Sequence, residues 1–199
     1  QREIMDYIRV EKRLIRPLNY PENTPGNGFG LYETRTGSKV FVVQVLGCLF
    51  MENSNNPFNA VDKCLSNITL GEDINCVVVD IHAEATSEKM AMGQYLDGRV
   101  SMVVGSHSHV PTADAQILPR GTAYQTDAGM CGDYNSVIGM KKESAIERFL
   151  NKKPFQRLEP AEEIGTVCGV YLETDDHSGL AVQINAIRAG GRLASTESK

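Results

Sequence analysis

The chain has 199 residues, of which 41% are hydrophobic and 23% charged, with a formal net charge of −5. This is the balance of an ordinary globular protein, long enough for one domain with a buried core, and it excludes wholesale disorder. The acidic sign argues against a nucleic-acid surface built on a basic field, although it leaves room for a small anionic substrate held by metal.

Gln1 lies already inside a helical pattern, with Ile4, Tyr7, Ile8, Glu11 and Leu14 recurring at helical spacing. The expectation is a segment cut from a longer protein. The run from Arg16 to Gly30 is rich in Pro, Gly and Asn, which fits a surface connection or the border of a binding site equally well. Lys39 to Leu46 is nearly continuous in apolar and β-branched residues and predicts a core strand covered on both faces. Asn56-Pro57-Phe58 then opens a helix to Asn67, with Pro57 suited to its first position. Cys76 to Ile81 predicts a strand ending at His82, Ala85 to Leu96 a helix, and Val100 to Val104 a second strand ending in Gly105-Ser106-His107-Ser108-His109. A strand-helix-strand crossover of this length brings two parallel strands side by side, so His82 is expected to face His107 and His109. Thr122 to Thr126 is a short strand, and Ser136 to Leu150 an amphipathic helix with Ser136 as its cap. Ile164 to Glu173 and Leu180 to Arg188 form a hairpin pattern, and the tail from Ala189 is expected to fray.

No run approaches the roughly 20 apolar residues that span a bilayer, and no signal peptide is visible, so a cytoplasmic protein with no membrane partner is expected. Cys48, Cys64, Cys76, Cys131 and Cys168 are odd in number and widely spaced, which favours reduced thiols over a disulfide framework. Cys131 sits in a loop but has no apparent partner base, and His177 reads as a solvated turn residue.

Neutral imidazole is the commonest protein ligand for transition metals, and two histidines at i and i+2 of an extended segment project to one side. Taken alone, His-x-His is a weak signal, and strand-end histidines bonded to backbone are the plainer reading. His82 on the neighbouring strand shifts the balance toward a metal site, since a purely structural account needs three coincidences. Among nearby carboxylates, Glu84 and Glu88 read as helix-start and solvated-face residues, whereas Asp80 is placed to support a ligand. The amides of Thr86-Ser87-Glu88-Lys89 point toward the same rim and suit a phosphate, although a plain helix cap is the simpler account.

His82-Ala83-Glu84-Ala85-Thr86-Ser87-Glu88-Lys89, Tyr95-Leu96-Asp97-Gly98-Arg99-Val100, Gly105-Ser106-His107-Ser108-His109-Val110, Thr112-Ala113-Asp114 and Thr126-Asp127-Ala128-Gly129-Met130 closely resemble the bacterial YmdB-type metallophosphoesterases. Arg16-Pro17-Leu18-Asn19-Tyr20-Pro21 and Asn56-Pro57-Phe58 also match that pattern, so the resemblance runs over nearly the whole chain. It implies a calcineurin-like α/β fold, a four-layer αββα sandwich, with two divalent metal ions, iron or manganese ahead of zinc. The implied activity is hydrolysis of small phosphodiesters, notably 2′,3′-cyclic nucleotides. His82 and His107 match ligands of one metal and His109 a ligand of the other.

The family's first strand-end aspartate, its Glu-Asn and its Gly-Asn-His motif, which supplies another ligand and the general acid, have no counterpart here. Asp6 lies in a helical pattern and is no substitute. They belong upstream of Gln1, in about 60 residues at the usual length of two βαβ-type units. Residues 1–199 are therefore expected to be a single domain, the larger C-terminal part of a metallophosphoesterase domain. Its expected partners are the missing N-terminal segment, a small phosphodiester and a second copy of the chain. The alternatives are a non-catalytic fragment with a residual metal site or oligomer contact, and a mononuclear zinc hydrolase.

Overall fold

The computed structural model of the chain describes residues 2–51, 54–151 and 157–196. Its elements run α1 (Arg2–Val10), β1 (Phe29–Glu33), β2 (Lys39–Leu46), α2 (Pro57–Leu65), β3 (Cys76–His82), α3 (Thr86–Leu96), β4 (Met102–Ser106), β5 (Gln116–Ile117), β6 (Ala123–Gln125), α4 (Lys142–Asn151), β7 (Val167–Thr174) and β8 (Ala181–Ala189). The class is the expected mixed α/β one. Six strands form one sheet in the order β1-β2-β3-β4-β6-β5, and β7 pairs with β8 in a second. Within the large sheet β2, β3, β4 and β6 run parallel, while β1 and β5 close its edges antiparallel. Among the described residues no helix is long and apolar enough to cross a membrane.

The alternation of strand side chains decides where the core lies. Val43, Val45, Val77, Val79, Ile81 and Val103 point to one face and are fully or almost fully buried, together with Met92 and Leu96 of α3 and Val61 of α2. Each such side chain contributes roughly 1.5–3 kcal/mol by leaving water. The opposite face differs from expectation. Val40, Val42, Gln44 and Leu46 of β2 alternate with the buried set and remain half-exposed, as do Val78 and Asp80 of β3. The apolar run at 39–46 is thus covered on one side only within these residues.

Strand register carries a polar row across that open face. Gln44 pairs with Asp80, Asp80 with Val104, and Val104 with Gln125. One level higher, toward the C-terminal ends, Leu46 pairs with His82 and His82 with Ser106. The side-chain oxygens Gln44 Oε1 and Gln125 Oε1 are buried without a hydrogen-bond partner. Gln125 is fully buried at the covered end of this row, whereas Gln44 and Asp80 are half-exposed.

Other differences are local. The segment from Ser136 makes a turn instead of a helix, with Ile138 and Gly139 at φ 48° and 90°; α4 begins at Lys142, so Ser136 does not cap it. Its hydroxyl instead bonds to the Asp133 carbonyl and accepts from the Gly139 amide. The strand β1 starts inside the stretch that composition presents as loop, which ends at Gly30, and continues to Glu33. The helix after Asn56 ends at Leu65, and the Asn56 side chain accepts from the Asn59 amide as a cap should. The expected frayed tail instead returns to β8, with Thr196 bonded to Arg188 through both its amide and its hydroxyl.

Gly105 fixes how closely β4 approaches its neighbours. A Cβ there would overlap the Thr126 carbonyl oxygen and stand 2.8 Å from Lys89 Cδ. Backbone on one side cannot yield as a flexible side chain would. Gly105→Ala is therefore expected to cost about 3 kcal/mol, the upper end of overpacking penalties. A urea midpoint unchanged from wild type would contradict this reading.

Candidate active site

Because β3 and β4 are parallel neighbours with His82 opposite Ser106, His107 is the first residue past the paired strand end. His107 Nδ1 lies 3.0 Å from His82 Nε2, with the two rings at 89° and their centroids 4.8 Å apart. The other nitrogen, His107 Nε2, lies 2.9 Å from Glu84 Oε2. Glu84 is exposed and belongs to this cluster, which corrects its reading as a helix-start residue. His82 Nδ1 lies 3.1 Å from Ser106 Oγ, and Ser106 Oγ donates to Asp80 Oδ1 at 2.9 Å. Asp80 thus reaches His82 through one hydroxyl.

The third histidine follows a different path. The segment past β4 is not extended: His107 has φ 117° and His109 φ 65°, so the same-side argument for i and i+2 does not apply. His109 donates from Nδ1 to the Ile138 carbonyl at 2.9 Å, leaving Nε2 as the nitrogen with a lone pair. The structure therefore joins His82 and His107 directly and anchors His109 on the turn before α4.

Positive φ at two non-glycine residues is costly, and it persists only where the surroundings over-determine it. Here a buried ion pair does so. Lys89 Nζ donates to Asp127 Oδ2 at 2.9 Å, with side chains only 2% and 1% exposed. The same oxygen accepts the Ser108 amide at 2.8 Å, and Asp127 Oδ1 accepts the Gly129 amide at 2.9 Å. The Tyr134 hydroxyl donates to the His109 carbonyl at 3.0 Å. The loop 107–109 is held from both ends.

The electrostatics follow from this packing. Burial, then the neighbouring His107 and Lys89, hold the His82 pKa below the usual imidazole range, which favours a neutral donor nitrogen. Burial raises the Asp80 pKa against the bond from Ser106. Burial also works against Asp127, but the Ser108 and Gly129 amides and the Lys89 ammonium outweigh it and keep that carboxyl below its ordinary range.

A metal fits part of this arrangement. Two imidazole nitrogens 3.0 Å apart have the spacing of adjacent donors on one ion, given metal–nitrogen bonds of about 2.0–2.1 Å. Among the described residues, however, no group of three or more His, Cys, Asp or Glu is gathered to hold a metal. The chain presents a donor pair and a third histidine beside it. α3 starts right after this rim with Ala85 as its cap residue and without a side-chain cap, so its first-turn amides are not occupied in that way.

Several residues lie where the sequence does not predict them. Glu88, expected on a solvated face, is buried and accepts the Cys48 amide at 2.8 Å and the Leu49 amide at 3.3 Å. Lys89 had a usable signal: it shares an apolar helical stripe with Met92 and Leu96, where a lysine needs a buried anion. All five cysteines are free, and the Cys131 thiol donates to the Cys168 carbonyl at 3.3 Å. His177 is exposed in the turn before β8, as expected.

Comparison with known proteins adds a family. The family model described as YmdB-like protein matches residues 1–187. A Bacillus subtilis (strain 168) protein named 2′,3′-cyclic-nucleotide 2′-phosphodiesterase is 42% identical over 187 residues, covering 94% of this chain and 69% of the relative. A Mycoplasma pneumoniae relative is 35% identical over 187 residues, covering 89% of this chain and 64% of its own. The chain thus spans about two thirds of the length of these relatives. Among solved structures, a hypothetical protein from Thermus thermophilus superposes with a TM-score of 0.87 at 42% identity, covering 96% of this chain and 73% of that one. A crystal structure described as a novel phosphatase from Mycoplasma pneumoniae gives a TM-score of 0.84 at 32% identity, covering 96% and 68%.

Removing one partner of the Lys89–Asp127 pair strands a buried charge, so Lys89→Met and Asp127→Asn are each expected to cost about 3–5 kcal/mol. The double variant should recover much of that loss, and additive losses in a denaturation cycle would contradict the pairing. The pH dependence has a fixed sign. A carboxyl depressed on folding stabilises fully above the unfolded aspartate pKa of about 3.9, and that stability is lost as pH falls through the folded value. Asp127→Asn should flatten the acid limb of the stability curve.

Proposed function

The chain belongs to the YmdB-like protein family, and on that premise we propose that it forms the larger part of a metal-dependent phosphodiesterase acting on small phosphodiesters such as 2′,3′-cyclic nucleotides. The observation that carries the reading is the 3.0 Å approach of the His82 and His107 nitrogens at the ends of two parallel strands. The name of the Bacillus subtilis relative supports the substrate class.

In this reading His82 and His107 hold one divalent ion and His109 contributes to a second, with iron or manganese ahead of zinc. Such ions supply positive charge to the phosphoryl oxygens and lower the pKa of a water nucleophile. The chain's own groups orient the donors. The Ser106–Asp80 contact steadies the His82 ring, the bond to Ile138 leaves the His109 lone pair on Nε2, and the Lys89–Asp127 pair keeps the loop in its strained form. Glu84, at the exposed end of the cluster, holds His107 Nε2 and so leaves Nδ1 as the nitrogen turned toward His82.

We further propose that residues 1–199 form one domain whose site is completed by residues outside this chain, in the N-terminal segment expected from the family pattern. Two features support this: the pair-only donor set among the described residues, and the half-exposed face of β2 and β3 with Val42, Gln44 and Val78. A strand layer on that face would cover Val42 and Val78 and supply groups for the polar row.

His107→Ala and His109→Ala, in the chain joined to the remaining length of its relatives, should cut manganese-dependent turnover of 2′,3′-cyclic AMP at least about a hundredfold. That exceeds the 10–100-fold typical of losing an outer support. The thermal midpoint should move little. Undiminished turnover by either variant counts against the ligand assignment. The 199-residue chain alone should hydrolyse bis(p-nitrophenyl) phosphate far more slowly than the joined chain, and equal rates would show that the site is complete within it.

A further inference from the structure

We infer that Arg188 is a substrate-binding residue whose guanidinium takes a phosphoryl oxygen of the diester beside the His109 loop. The inference rests on the phosphodiesterase reading for the identity of the ligand, whereas the placement of the arginine is independent of it. Arg188 lies in β8, in the small sheet, away from the strands that lead to the three histidines.

Strand pairing brings Arg188 to that loop. It is the cross-strand partner of Cys168. Its amide donates to Thr196 Oγ1 and its carbonyl accepts the Thr196 amide, so neither backbone group is spent on β7 and the pair is of the non-hydrogen-bonded type. In such pairs the two side chains leave the same face, with Cβ atoms toward the close end of about 4.5–5.5 Å. On that face the Cys168 thiol lies 3.4 Å from the Tyr134 hydroxyl, which donates to the His109 carbonyl at 3.0 Å. Just before β7, Thr166 and Gly132 exchange both backbone hydrogen bonds and stitch this end of the hairpin to the loop after Asp127. Arg188 is thus linked to His109 through Cys168 and Tyr134.

Charge accounting then asks for an anion. A guanidinium stays charged and is donor-only, so burying part of it without acceptors is costly. Arg188 is half-buried, its Nε is buried without a hydrogen-bond partner, and the ion pairs among the described residues do not include it. Carboxylates at this end of the fold are engaged elsewhere. Asp127 holds Lys89, Ser108 and Gly129. Asp133 accepts the Asn135 and Glu163 amides, and Glu163 accepts from the Asn135 side chain. The matching oxyanion therefore comes from outside the described residues, and a phosphodiester held at the histidine rim presents one. A planar fork of donors suits phosphate oxygens better than a point charge does. The same chemistry could be offered by a carboxylate of the N-terminal segment, and the test separates the two sources.

The test uses the chain joined to the remaining length of its relatives. Arg188→Lys keeps the charge and loses the fork. It should raise the KM for 2′,3′-cyclic AMP and the inhibition constant of inorganic phosphate together by about 10–100-fold, the equivalent of one hydrogen bond to a charged group. The thermal midpoint should hardly move. A carboxylate partner gives the reverse, a lowered midpoint with both constants unchanged, and that result overturns the inference. The wild type decides independently of any variant. With stoichiometric Zn²⁺, the proton–nitrogen NMR signal of Arg188 Nε–H should shift saturably as inorganic phosphate is added, and a signal that stays in place overturns the inference. A saturable shift in a chain that leaves 2′,3′-cyclic AMP intact keeps the arginine site and removes the phosphodiesterase reading. Hydrolysis by the wild type with an unmoved signal does the opposite.

Discussion

The buried contact between Lys89 and Asp127 is the constraint on which the rest of the site depends. Lys89 leaves the first turn of α3 and passes over Gly105, where a Cβ would meet its stem, before ending on the carboxylate just past β6. Desolvating two charges costs several kcal/mol per ion, so the pair is a poor source of net stability. Its return lies in placement. Asp127 spends its oxygens on Lys89, Ser108 and Gly129, and so ties one helix to the two loops that follow β4 and β6. The strained φ angles of His107 and His109 lie on either side of the bonded Ser108 amide.

This dependence runs in one direction, from glycine to histidine. Without a Cβ at 105, β4 and the Thr126 strand end close up, Lys89 reaches Asp127, Asp127 fixes Ser108, and His107 turns onto His82. Core packing on the α2 and α3 side supplies the rigid base, with Val79 and Val103 fully buried beneath the two strand ends. The opposite face is less complete. Its half-exposed Val42, Gln44 and Val78 leave the histidine corner standing at the rim of a face that the described residues do not cover.

The fold's centre was legible because it is local. The bounds of β2 follow from eight residues of continuous β-branched and apolar character, and the parallel pairing of β3 and β4 follows from the helix between them. The pairing of His82 with His107 was legible on the same ground. What stayed hidden depends on contacts across distance. Glu88 resembles any first-turn glutamate until the Cys48 and Leu49 amides arrive beneath it, and Asp127 resembles a loop aspartate until Lys89 is seen to be buried. The separate path of His109 is not legible because the period-2 rule ends with β4, where the backbone leaves the β region. Residue type alone predicts Ser136 as a cap, and the turn that its own hydroxyl organises overrides that prediction.

Native-state hydrogen exchange tests the central claim most directly, since the Ser108 and Gly129 amides both donate to the buried Asp127 carboxylate. If the ion pair holds the histidine loop, both amides exchange only through large-scale opening, on the timescale of the Val79 and Val103 amides in the sheet. Exchange of the Ser108 amide at the rate of an unprotected loop, in a chain whose sheet amides remain slow, would contradict the account.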